Sequence, residues 1–386
     1  MHMADALLSP VVSGVMTAAS ATAVVISVKK VTKEHPDEKL VPMMGVMGAF
    51  IFAAQMINFT IPGTGSSGHI GGGILLAALL GAYPALLTLA SVLFIQCLFF
   101  ADGGLLALGC NIFNMGVLTC LFAYSFIFKP LLQKRIDKKR ISIASIVSVV
   151  VGLQLGAFSV VLETLVSGVT ELPFGAFAAL MQPIHLAIGL IEGIITAAVL
   201  CFVYQVRPEI LLRPELMRRS KLLDHSNENG KTVGNGELVG NREPVSGTEV
   251  ETEMGTKTTE IESREKNRMS FKKVLGIFMV AAILVGGGLS LLASGFPDGL
   301  EWSVEKVAGS PELEREGGAY ETAENVVKKT AFMPDYGFMG EENDNSAGTA
   351  TAGVIGSVIT VIFAGGIGLV IHLAKKKNAA IRNPIV

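Results

Sequence analysis

The chain opens Met1-His2, and this pair carries the most specific chemistry in the sequence. Trimming of a start methionine needs a small second residue, so Met1 is expected to stay. The α-amino nitrogen, the His2 amide nitrogen and a His2 ring nitrogen can then close two small fused chelate rings lying near one plane. A fourth equatorial place stays open. Nitrogen-rich square-planar coordination suits Ni(II) or Cu(II), with Co(II) in a more distorted form. His69 is the best candidate for the fourth ligand. Imidazole is the commonest transition-metal ligand. His69 also lies in the glycine-rich loop Pro62 to Gly73, whose glycines let backbone and ring approach an ion closely.

Further polar residues are expected around these ligands. Asp102, followed by Gly103-Gly104, ends one apolar element, and Asn111 and Asn114 begin the next. With Ser67 of the glycine-rich loop they form a supporting layer, and Asp102 is placed to orient an imidazole ligand through its other nitrogen. His185 and Glu192 share one helix face at i, i+7, and Glu163 lies near the end of its span. Ionisable groups inside a membrane are functional candidates, though many only tie helices together. These three are expected to support or pack rather than ligate. The loop also spells a GxGxxG pattern at Gly63 to Gly68. An apolar membrane segment precedes it instead of a strand, and no acidic residue follows about twenty residues on, so a dinucleotide site is rejected.

The elements that must position these groups are membrane helices. Half of the residues are hydrophobic, mean hydropathy is +0.54, and several apolar runs exceed the ~18 residues that cross a bilayer. A net charge of -2 gives no footing for nucleic acid. The start carries no basic n-region, so the first apolar segment reads as a retained span. Cys97, Cys110, Cys120 and Cys201 all sit in or beside apolar runs without disulfide or metal spacing. The fold class is therefore all-α, a polytopic helix bundle. Apolar elements are expected at 10–28, 40–58, 73–82, 84–101, 107–128, 142–167 and 184–205, then at 273–294 and 352–374.

The stretch 73–101 is rather long for one span and too short for two, and Tyr83-Pro84 interrupts it. A short half-helix followed by a fuller one is expected, with irregular backbone tolerated only where protein or a wet cavity covers it. Basic clusters at Lys29/Lys30/Lys33, 129–140, 207–221, Lys272/Lys273 and 375–382 should all be cytoplasmic. Counting the break as two crossings satisfies every cluster. The N-terminus, the 59–72 loop, Ala101 to Leu105, the 168–182 loop and the acidic segment 296–350 then fall together outside. Seven membrane elements are followed by two.

Between the hydrophobic blocks, residues 207–270 are rich in charged and small polar residues and nearly free of aromatics, which reads as a solvated cytoplasmic linker. The division is a membrane domain at 1–206, the linker at 207–270, and a two-span module at 271–386 whose outer loop is 296–350.

Met1-His2, the Gly-Thr-x-x-x-Gly-His loop at 63–69, Phe100-Ala101-Asp102-Gly103-Gly104 and Leu108-Gly109-Cys110-Asn111-Ile112-Phe113-Asn114-Met115-Gly116 resemble the substrate-capture component of cobalt/nickel energy-coupling factor transporters, the CbiM/NikM family. The resemblance spans about 1–206. Residues 271–386 resemble the small two-span accessory component of the same systems, through Phe296-Pro297-Asp298-Gly299-Leu300-Glu301-Trp302, echoed by Met333-Pro334-Asp335-Tyr336-Gly337-Phe338. The chain looks like a fusion of the two. One departure is Met3-Ala4-Asp5-Ala6-Leu7-Leu8, where the family usually has an Ile-(Pro/Met)-(Asp/Glu)-Gly-Phe type of stretch.

The resemblance implies a four-nitrogen site made by the Met1 amine, the His2 amide, the His2 ring and the His69 ring, which coincides with the chelate read from the residues. It implies a multi-pass protein of a prokaryotic cell membrane that takes Ni2+ or Co2+ as transported substrate and has no other cofactor. Its implied partners are a transmembrane coupling component and paired cytoplasmic ATPases. No GxxxxGK[ST] phosphate loop occurs in the chain, so ATP hydrolysis is expected on those partners. The competing class is a secondary transporter or channel working alone. An intramembrane enzyme finds no HExxH or paired ligand motif to support it.

Overall fold

The computed structural model describes residues 2–33, 39–133, 136–211, 269–311, 313, 315–338 and 346–382. The first block contains α1 (Pro10–Lys33), α2 (Leu40–Gln55), a two-stranded antiparallel hairpin of β1 (Phe59–Ile61) and β2 (Ser66–Gly68), α3 (Gly73–Leu80), α4 (Ala82–Phe100), α5 (Leu108–Leu132), α6 (Lys138–Ser167) and α7 (Phe174–Val206). The second contains α8 (Phe271–Gly287), α9 (Gly299–Ala308), α10 (Gly318–Thr330) and α11 (Ser346–Arg382). Most of the linker expected at 207–270 lies outside the described residues.

Seven helices among the described residues are long and apolar enough to cross a membrane, five in the first block and two in the second. The shorter α2 and α3 complete seven membrane elements in the first block, and α3 is buried along its whole length. Such a short helix survives at membrane depth because protein surrounds it. The outward faces carry exposed Val166, Leu292 and Ile362 as a lipid-facing surface.

Several boundaries differ from the sequence reading, two of them for a clear physical reason. The break between α3 and α4 falls at Gly81, whose φ of 88° and ψ of 161° suit glycine alone. Pro84 instead occupies the first turn of α4, where a missing N–H has no helical partner to lose. Helix α7 begins at Phe174 rather than near 184 and carries Pro183 inside it, as membrane helices tolerate. The core of α5 winds with the wider π-helical pattern from Ile112 to Phe128.

Close backbone approach joins the two blocks. A Cβ on Gly45 would stand 3.0 Å from the Val361 carbonyl, and one on Gly368 would stand 3.3 Å from the Val41 backbone. A side chain on Gly356 would collide with the Phe52 ring. In lipid, where tails are as apolar as side chains, this small-residue packing and dispersion contact is what holds helices together. Four of the five segments expected to share one face bond to one another: the N-terminal stretch, the hairpin, the loop after α4 and the loops of the second block.

Candidate metal centre

Residues 2–8 form a strap over the end of the bundle. Met3 is fully buried and tied on both sides. Its N–H donates to Asn111 Oδ1 at 2.8 Å, and its carbonyl accepts from Asn111 Nδ2 at 3.3 Å and Gly104 N at 2.9 Å. Asn114 Nδ2 adds a 3.7 Å contact to Met3 Sδ. Asp5 begins a single 3-10 turn and accepts from Ala107 N at 2.9 Å. A side chain on Gly104 would strike the Asp5 carboxylate, so glycine is required there. The unusual stretch after His2 therefore has its own anchor in Asp5.

This strap delivers His2 to His69. The two rings lie 5.1 Å apart between centroids and 14° from parallel, and their side chains are 8% and 9% exposed. His69 follows β2, which is wholly buried. The loop after it is held by Glu192, whose oxygens accept from Gly71 N at 2.8 Å and Gly72 N at 2.9 Å, while Gln55 Nε2 donates to Gly71 O at 3.0 Å.

The second block closes the arrangement. Ser67 donates through Oγ to Phe296 O at 2.8 Å, and Ser67 N bonds Pro297 O at 2.8 Å. Trp302 Nε1 donates to Thr64 O at 3.0 Å. Asp298 caps α9 in a reciprocal box with Glu301 and brings Oδ2 to 3.9 Å from His69 Nε2. Asp102 Oδ1 lies 3.2 Å from His2 Nδ1, and its other oxygen accepts from Tyr336 Oη. Tyr336 follows Asp335 in a turn where both have positive φ, and it stacks on Phe100 at 5.2 Å.

Burial sets the protonation of these groups. It lowers the His2 and His69 pKa values to about 3, so both rings are neutral at neutral pH and keep a lone pair, as ligation requires. Burial raises Asp102 against the opposing Tyr336 bond. Glu301 is raised to about 7 by burial and by the nearby Asp298 charge. Among the described residues no three His, Cys, Asp or Glu side chains form a metal-ligand cluster.

Residues 2–210 match the family described as the cobalt uptake substrate-specific transmembrane region, CbiM. The chain belongs to this family. Residues 272–373 match the PDGLE domain, so a CbiM region and a PDGLE module are fused on one multi-pass membrane protein. A putative fused nickel transport protein NikMN of Archaeoglobus fulgidus is 35% identical over 211 residues, covering 55% of this chain and 68% of that protein. A putative metal transport protein of Haloquadratum walsbyi is 35% identical over 55% of this chain and 93% of its own length. The cobalt transport protein CbiM of Geobacter sulfurreducens is 27% identical over 55% of this chain and 61% of its own length. The relatives are thus transport proteins for both nickel and cobalt.

Of the residues singled out in this CbiM chain, His2, His69 and Asp102 meet directly, Asn111 and Asn114 hold the strap, and Ser67 docks the PDGLE module. Met1 lies outside the described residues. Asp102 contacts Nδ1 of His2 and not the other ring nitrogen, because the strap turns that edge toward the loop after α4. Glu163 bonds Asn114 and Ser159, at 2.9 and 3.0 Å. Sequence reasoning missed Asp298, Trp302 and Tyr336 as site groups. Asp298 had a legible signal, since Asp followed three residues on by Glu is a helix-start pattern.

Proposed function

We propose that the chain is the metal-binding membrane subunit of an ATP-driven energy-coupling factor importer for Ni2+ or Co2+. The ion is held by the Met1 amine, the His2 amide, the His2 ring and the His69 ring. The observation that carries this reading is the pairing of the His2 and His69 imidazoles in a buried pocket. The six-membered chelate through the His2 amide reaches only Nδ1. Two imidazoles bound cis at a metal–nitrogen distance of about 2 Å place their centroids about 4.5 Å apart, whereas trans ligands would stand about 6.3 Å apart. The observed 5.1 Å lies nearer the cis than the trans separation.

A hydrated ion reaches the outer face, sheds water onto the strap, and displaces the proton that Nδ1 shares with Asp102. Deprotonation of the His2 amide accompanies binding, so affinity rises with pH. The basic ends of the helices face the cytoplasm. Energy for inward release comes from a transmembrane coupling protein and paired ATPases, since this chain has no phosphate loop. The test is uptake of Ni2+ and Co2+ by cells expressing the chain with and without those subunits. Accumulation that needs a functional ATPase supports the reading. Equal accumulation without any ATPase makes the chain a secondary transporter or channel.

A further inference from the structure

Next to the His2–His69 pair, and walled on one side by His69 itself, lies a chamber of about 20 Å³ also lined by Asn114, His185, Glu192, Asp298 and Gly299. It has room for one water-sized particle. His185 Nδ1 lies 2.8 Å from the Met181 carbonyl. A carbonyl only accepts, so the ring proton is on Nδ1 and Nε2 carries the lone pair. That Nε2 is buried and has no hydrogen-bond partner. The Asn114 amide is likewise committed through Nδ2 to Glu163, which leaves a buried Oδ1 acceptor unpaired. Glu192 spends one lone pair of each oxygen on the Gly71 and Gly72 amides and keeps the others. The chamber therefore gathers two unpaired buried acceptors, His185 Nε2 and Asn114 Oδ1, beside a carboxylate.

We propose that this chamber is a second, weaker subsite for a divalent transition-metal ion, inward of the capture site, with His185 Nε2 as its principal ligand and Asn114 Oδ1 and Glu192 as oxygen donors. The identity of the ion rests on the function proposed above. A ring whose other N–H is given to a backbone carbonyl is the usual arrangement of a metal-bound histidine. The mixed nitrogen and oxygen set suits Ni2+ and Co2+. With a single imidazole and two oxygen donors, the subsite binds more weakly than a four-nitrogen chelate. Gly299 of the PDGLE module roofs it, since a Cβ there would stand 3.3 Å from His185 Cε1.

The test titrates Co2+ into the full chain with a free N-terminus, reading stoichiometry by equilibrium dialysis and ligand field by visible absorption. Wild type should take about two ions, the second at least about tenfold weaker. His185→Gln should lose the second ion and hold the first within about twofold, and Gly299→Ala should weaken the second by crowding the chamber. His2→Ala should lose the first and keep the second. A wild type that saturates at one ion overturns the proposal, as does a second ion of unchanged affinity in both His185→Gln and Gly299→Ala. Loss of only the His185-dependent ion where His2→Ala has no effect would sink the capture reading and leave the subsite standing.

Discussion

The imidazoles of His2 and His69 lie 14° from parallel with centroids 5.1 Å apart, although two helices and a hairpin separate them in the chain. Neither residue reaches this position by itself. His2 is carried on a strap whose next residue is held by Asn111 and Gly104. His69 is carried on a loop whose glycine amides are held by Glu192. The account makes these holders as consequential as the ligands.

Both rings should stay neutral well below the ordinary histidine range. Their folded-state pKa of about 3 lies under the ordinary histidine value of 6.5. Between those two values the unfolded chain binds more protons, so stability falls as pH falls through that window. Ring-proton chemical shifts of His2 and His69 should be flat from pH 8 to about 5. A titration near 6.5 in either ring would contradict their burial.

Asn111→Ala should loosen the strap. It removes both bonds to Met3 and leaves a buried N–H unpaired, a cost of about 1–3 kcal/mol. Nickel affinity by calorimetry should fall roughly tenfold or more, with helix content by circular dichroism unchanged. Wild-type affinity in this variant would show that the strap needs no such anchor.

Tyr336→Phe tests the contact between the PDGLE module and the metal centre. The ring keeps its stacking on Phe100 while the hydroxyl donated to Asp102 is lost. A bond to a charged group contributes about 1.5–3 kcal/mol, so metal affinity should drop together with a fall of a few degrees in unfolding temperature. No change in affinity would separate Tyr336 from the site.

Glu192→Gln should free the loop behind His69. A glutamine carbonyl oxygen cannot replace both carboxylate acceptors facing Gly71 and Gly72. Amide exchange at those two glycines should accelerate by one to two orders of magnitude, matching about 1.5–3 kcal/mol per charge-assisted bond. Exchange at the wild-type rate would assign the order of the loop to Gln55 and the hairpin alone.

The parts legible in the sequence were those set by local chemistry or by counting. His2 and the glycine-flanked His69 stand out by residue type and meet in the structure, and the basic clusters assign the shared face of strap, hairpin and acidic loops. The half-helix α3 was legible from length alone, but its end was not. A proline drew the break to Tyr83-Pro84, while the backbone placed it at Gly81, where only glycine takes the required φ. Trp302 and Tyr336 could not be read as site residues, because their bonds to Thr64 and Asp102 arise from docking between blocks far apart in sequence.

The most direct test of the central claim is the nickel and cobalt stoichiometry and affinity of the purified chain with a native, untagged N-terminus, alongside His2→Ala, His69→Ala and a variant with one residue inserted before His2. The account predicts one tightly bound ion in wild type and loss of that ion in all three variants. Undiminished tight binding in the insertion variant would contradict a chelate built on the N-terminal amine and the His2 amide.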